Sequence, residues 1–141
     1  MVSGMATMLE RLAQAWNSHS ADGVASLSAQ DYESDQPVHP GRGFTGRAKV
    51  LANWTAVFQG VRDFRAELMA FSVDGDTEWG EWNWWGHYAD NSSFAMRGVT
   101  IFTVRDGLIA SARLYMEPVD PTDDDIDAAV QELYQPPGSP S

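Results

Sequence analysis

The stretch Thr77–Tyr88 sets a carboxylate, an amide and an imidazole at alternate positions among four tryptophans. Side chains alternate along a strand, so Trp79, Glu81, Asn83, Trp85 and His87 share one face. Gly80, Trp82, Trp84, Gly86 and Tyr88 share the other. The first face has the composition of a ligand pocket, apolar walls with a few convergent polar groups. A carboxylate among indoles loses hydration and holds its proton more readily, so Glu81 suits general acid or base work, or else a structural pair with Arg97. His87 suits a proton shuttle. Arg97 suits an oxyanion or a ligand carboxylate, or a cation–π contact with Trp85. Asn83 suits ligand orientation, and Asp35, beside Pro37, is a second candidate base. The face carrying Trp82 and Trp84 suits a partner subunit or the core, and a homodimer through that face is expected.

Helices and strands must position these groups. Met5, Met8, Leu9, Leu12, Ala13 and Trp16 recur at helical spacing and form one apolar stripe. A short second helix is expected near Asp22, with Asp22 as its cap, and a strand over Tyr32–Val38. Thr45 is placed as the cap of a third helix burying Val50, Leu51, Trp54, Val57 and Phe58. From Phe64 to Val119 the chain reads as four strands separated by turns at Asp74-Gly75-Asp76, Asp90-Asn91 and Asp106-Gly107. Three hairpins in succession make an antiparallel meander and imply no parallel crossover. Hairpin pairing sets Arg97 opposite or diagonal to Trp85, and brings Leu114 and Met116 to the same face. Thr122 is expected to cap a closing helix carrying Ile126, Ala129, Val130, Leu133 and Tyr134, with a flexible tail over residues 136–141. Residues 1–135 read as one domain, of α+β class.

The bulk composition narrows the function. The net charge is −11, which opposes nucleic acid and anionic membrane partners. Seven acidic residues and no basic one lie between Glu117 and Glu132, so most of the acidity belongs to one segment. The absence of cysteine excludes disulfides, thiolate catalysis and cysteine-bound zinc. Met1 to Ala13 reads as a helix start without the pattern of a secretory signal, and the cytoplasm is the expected compartment. His19, His39 and His87 lack paired ligand spacing, so no metal is expected. Gly41-Arg42-Gly43-Phe44-Thr45-Gly46 spells a dinucleotide-binding pattern, but no parallel βαβ unit follows, and it is set aside.

The order of elements has a further implication. Trp16-Asn17 closing the first helix, Gly46-Arg47 opening the third, the aromatic strand Trp79–Tyr88, Gly98–Val104 with Asp106-Gly107-Leu108-Ile109, and Arg113-Leu114-Tyr115-Met116-Glu117 together resemble the SnoaL-like branch of the nuclear-transport-factor-2-like superfamily. That resemblance spans roughly residues 5–119. It implies a cone-shaped curved antiparallel sheet closed by N-terminal helices around a pocket, often dimeric, to which this chain adds a C-terminal helix. It implies a small apolar or carbonyl-bearing ligand, no cofactor, and isomerase, cyclase or dehydratase chemistry. Trp16, Trp54, Trp79, Asn83, Trp85, Arg97, Val99, Leu114 and Met116 are then the expected ligand-binding residues, with Glu81, Asp35 and His87 the catalytic candidates.

The chemistry of particular branches does not carry over. Limonene-epoxide-hydrolase-like members have Arg-x-Asp where this chain has Asn83-Trp84-Trp85, and an Asp near Leu114. Ketosteroid-isomerase-like members use a first-helix Tyr, where this chain offers Gln14 and Trp16, and a strand Asp, where it has Gly98 or Val99; Asp35 alone could match their first-strand Asp. A non-catalytic binding protein and a dimeric assembly module are the alternatives.

Overall fold

The computed structural model describes residues 6–122 and 124–136. Two short helices, α1 (Met8–Asn17) and α2 (Ala21–Ser26), precede strand β1 (Ser28–Asp35). A single 3-10 turn at Pro40–Arg42 leads to the two-residue strand β2 (Phe44–Thr45) and helix α3 (Arg47–Gly60). The meander follows as β3 (Arg65–Asp74), β4 (Thr77–His87), β5 (Ser93–Arg105) and β6 (Leu108–Pro118), and α4 (Ile126–Leu133) ends the described chain.

One curved, open sheet results, in the order β2-β1-β6-β5-β4-β3. The meander forms as its turn residues predict. The sequence missed the pairing of β1 with β6, which is parallel and joins residues far apart in the chain. Several caps also move. Ser20, not Asp22, caps α2 by accepting from the Gly23 N–H. Thr45 belongs to β2, and α3 starts after Gly46, whose φ of +107° lies where side chains fit poorly. Asp125, not Thr122, caps α4 through the Ala128 N–H. Of the expected features, Met5, Asp123 and residues 137–141 lie outside the described residues.

Helix α1 is fixed to the sheet at both ends. Thr7 and Glu10 form a reciprocal capping box at its start. There the buried Glu78 of β4 also accepts from the Met8 N–H at 3.3 Å and the Leu9 N–H at 3.0 Å, with the helix dipole favouring its charge. At the other end Asn17 bonds both backbone groups of Ala66 on β3, donating to its carbonyl at 2.9 Å and accepting from its N–H at 2.8 Å. Between these anchors the stripe Met8, Leu9, Leu12 and Trp16 is buried against the sheet. A Cβ at Gly80 would meet the Leu9 side chain at 2.9 Å and the Trp82 indole at 3.1 Å, so the glycine leaves room for α1 to pack closely on β4.

The Glu78 contact makes the first prediction. Glu78→Ala leaves two helix-start N–H groups buried without their acceptor and should destabilise the fold by about 1–3 kcal/mol. Urea unfolding should show a lower midpoint at unchanged slope; an unchanged midpoint would mean that α1 is held by its apolar stripe alone.

Candidate functional site

The faces of β4 are the reverse of those expected. Glu78, Gly80, Trp82, Trp84 and Gly86 point inward and are buried, whereas Trp79, Glu81, Trp85 and His87 are exposed on the outer face, with Asn83 half-buried beside them. Trp82 is completely buried and Trp84 is 6% exposed, so the surface expected to bind a partner through them is covered by the protein's own helices. The glycines carry the physical reason. Only a face with residues as small as Gly80 lets a helix approach closely, and the tryptophans beside it fill the remaining space.

The register then decides where the other candidates fall. Arg97 lies opposite Asn83 and diagonal to Trp85, as the hairpin predicts, and is exposed on the outer face. Val99 lies opposite Glu81, on that same face. Trp79, Glu81 and Val99 line a shallow outer groove with Phe71. Leu114 and Met116 do not join that face. They pair with Thr100 and Gly98 and point inward, because an irregularity between Thr103 and Val104 offsets the last hairpin. Asp35 is exposed at the end of β1, and its neighbour Ser34 takes the inward position. Glu81 and Asp35 therefore face solvent, and the burial that would favour proton transfer at Glu81 is absent.

His87 has a different role. Its Nδ1 lies 2.7 Å from Asp63 Oδ2, and its backbone N–H donates to Asp63 Oδ1 at 2.7 Å, tying the end of β4 to the α3–β3 connection.

The inner face and the helices enclose a cavity of about 210 Å³. Trp16 and Leu12 come from α1, Val50, Asn53 and Trp54 from α3, and Trp84 and Leu114 from the sheet. Of the expected ligand-binding residues, Trp16, Trp54 and Leu114 line it; Met116 lies in the core beside it. Sequence reasoning missed Tyr32, Ser34, Gln36 and Asn53, which supply most of its polar groups with Ser28. The alternation Ser28, Tyr32, Ser34 along β1 was the available signal, once that strand is started at Ser28. No lining residue carries a charge.

Two features set the chemistry of this cavity. Burial raises the pKa of the Tyr32 phenol, partly offset by a hydrogen bond with the Ser34 side chain, so the hydroxyl stays neutral and able to donate. The indole N–H groups of Trp16 and Trp84 are buried with no hydrogen-bond partner, whereas that of Trp82 donates to Thr100 Oγ1 at 2.8 Å. Among the described residues no group of three or more His, Asp or Glu side chains could hold a metal, and no helix is long and apolar enough to cross a membrane.

A curved open sheet with helices over a cavity gives this chain the nuclear-transport-factor-2-like fold. Residues 9–112 match the SnoaL-like domain, and the chain belongs to that family. No functionally curated protein matches it in sequence. Among solved structures it is similar to a ketosteroid-isomerase-like protein from Catenulispora acidiphila in complex with trimethylamine, at 19% identity and TM-score 0.69, covering 77% of this chain and 83% of that one. It is also similar to a putative SnoaL-like polyketide cyclase from Shewanella denitrificans, at 13% identity and TM-score 0.65, covering 78% and 88%. An epoxide hydrolase of the limonene-hydrolase type from M. tuberculosis matches at 16% identity and TM-score 0.67, covering 78% and 80%. At these identities the likeness is one of fold.

The His87 contact is testable by pH. Hydrogen bonds from the His87 ring, and then from its backbone, hold the Asp63 carboxyl below its ordinary pKa. The stability this adds is present above the unfolded pKa and lost as pH falls through the folded one. Asp63→Asn should lower the melting temperature at neutral pH, and the gap to wild type should close as pH falls from about 4 downward. Thermal melts across that range decide it; a gap independent of pH would mean the carboxylate charge contributes nothing.

Proposed function

We propose that this protein binds a small, uncharged, largely apolar molecule bearing a carbonyl or similar acceptor, in the cavity between α3 and the inner face of the sheet. The observation that carries this reading is a cavity without charge in which Tyr32, Ser34, Gln36 and Asn53 stand among indole and aliphatic walls. The neutral Tyr32 hydroxyl is the donor for the ligand's acceptor. A charged ligand would meet no counter-charge and would lose its hydration.

These groups can bind and polarise a carbonyl, but none of them can take a proton from the adjacent carbon. The cavity therefore favours ligand capture over carboxylate acid–base catalysis. Cyclisation in which the walls fold a flexible substrate while Tyr32 polarises its carbonyl is the catalytic role these groups support.

Calorimetry with methyl pentyl ketone and with the carboxylate of equal length tests this. The ketone should bind and the carboxylate should not, and Tyr32→Phe should weaken ketone binding about fivefold. Affinity should be flat between about pH 6 and 9, because Tyr32 titrates above the usual phenol range of about 10. Preference for the carboxylate, or indifference to Tyr32→Phe, would sink the proposal.

We propose as well that the protein forms a homodimer through the outer sheet face, the side opposite to the one first expected. Trp79 is 43% exposed there and Trp85 40%. Register places Arg65, Arg97 and Arg113 on that face with Glu67, Glu81 and Glu117, and charges of both signs allow two copies to pair about a two-fold axis. Sedimentation should show a dimer that Trp79→Ser combined with Trp85→Ser converts to a folded monomer. A wild-type monomer at high concentration would count against it.

A further inference from the structure

A second cavity, of about 350 Å³, lies under the C-terminal half of α3. Trp54, Val57 and Trp84 line both cavities, so one shared wall separates them. The two compartments differ sharply in polarity. The first holds Tyr32, Ser34, Gln36 and Asn53. The second is closed by Val61, Phe64, Phe94 and Met96, and apart from the shared indoles its one polar side chain is Tyr88, itself 48% exposed.

We infer that the second cavity receives the hydrocarbon tail of a ligand whose uncharged polar head sits in the first, so that the protein selects elongated amphiphiles over compact molecules. This rests on the proposal that the first cavity takes the acceptor. Size bears on the head group: at 210 Å³ the first cavity falls below the roughly 300–1,000 Å³ usual for small-molecule sites, so a longer ligand must extend out of it.

In the inferred complex the chain passes beside Trp54, the less buried of the two indoles in the wall. Trp84 is held at 5.1 Å from Trp16 and 5.7 Å from Phe64 and is almost fully buried. Trp54, which meets it edge-on at 5.6 Å, is only half-buried and rides on α3. That helix is tied down at its start, where the Gly46 N–H donates to the Tyr32 carbonyl at 2.7 Å and Arg47 Nε to the Ser28 carbonyl at 2.8 Å. Val50, near that start, is its one buried residue; further along, the half-buried Trp54 and Phe58 pack on Trp16 at 5.0 Å and on Phe64 at 5.7 Å. An apolar tail entering there gains both the dispersion contacts the void lacks and the transfer of its methylenes out of water.

A homologous series of methyl alkyl ketones from propyl to undecyl tests the inference by calorimetry. In wild type, affinity should go on rising by about fourfold per methylene beyond the length that fills the first cavity. Two variants obstruct only the second cavity: Ala56→Phe on α3, and Gly60→Leu, where an added Cβ meets no neighbour. In either variant the short ketones should bind as in wild type, while the gain with length should stop early. If wild-type affinity levels off at the short members, or both folded variants keep the full length dependence, the second cavity takes no tail. Failure of even the short ketones to bind would instead remove the head-group proposal and this inference with it.

Discussion

Trp16 is the contact around which the interior is organised. Its ring meets Trp82 at 4.7 Å, Trp54 at 5.0 Å and Trp84 at 5.1 Å, so α1, α3 and β4 converge on one side chain. Edge-on and tilted aromatic pairs add about 0.5–1.5 kcal/mol each beyond the area they bury, but only at close range. That range is imposed from outside the cluster. Glu78 fixes where α1 starts, Asn17 fixes where it ends, and Gly80 lets it approach. A shift of α1 would loosen all three indole contacts at once and open the cavity wall.

The same alternation separates the charges from the cavity. Every inward position of β4 after Glu78 is glycine or tryptophan, while Glu81, Asn83 and His87 fall outside. On β1 the inward residues are Ser28, Tyr32 and Ser34, and the carboxylates of Asp31, Glu33 and Asp35 are exposed. One step along either strand would exchange a neutral wall for an acidic one, because strand parity is all-or-none. The uncharged cavity is thus a consequence of register as much as of composition, and carboxylates flank it in sequence without lining it.

Legibility followed the range of the interactions. The Asp-Gly and Asp-Asn turns and the helical stripe of α1 act locally, and the meander and α1 are where those residues place them. The parallel β1–β6 pair joins Ser34 to Ala112, a contact that no local pattern announces. The β4 faces were misassigned for a different reason: a row of Trp, Glu, Asn, Trp and His has pocket composition, and that outweighed the glycines of the other row. Gly80 and Gly98 were the better guide. Both sit on the inward face: a side chain at Gly98 would run into the Tyr115 carbonyl, and one at Gly80 would crowd the Leu9 and Trp82 side chains. Leu114 and Met116 could not be placed without the irregularity beside Val104, which has no signature in residue type.

The unpaired indoles gain meaning from the one that is paired. Trp82 has a hydroxyl at 2.8 Å because Thr100 stands beside it, so this sheet can satisfy a buried indole with a single side chain. The hydroxyls that line the same cavity, on Ser28, Tyr32 and Ser34, do not accept from Trp16 or Trp84. A fold that meets one such demand and leaves two unmet, both on residues lining one cavity, concentrates its polar deficit there. Buried polar groups are nearly always satisfied, and exceptions gather where something binds. The indoles that hold the interior together therefore carry its unmet polar demand in the wall of that cavity.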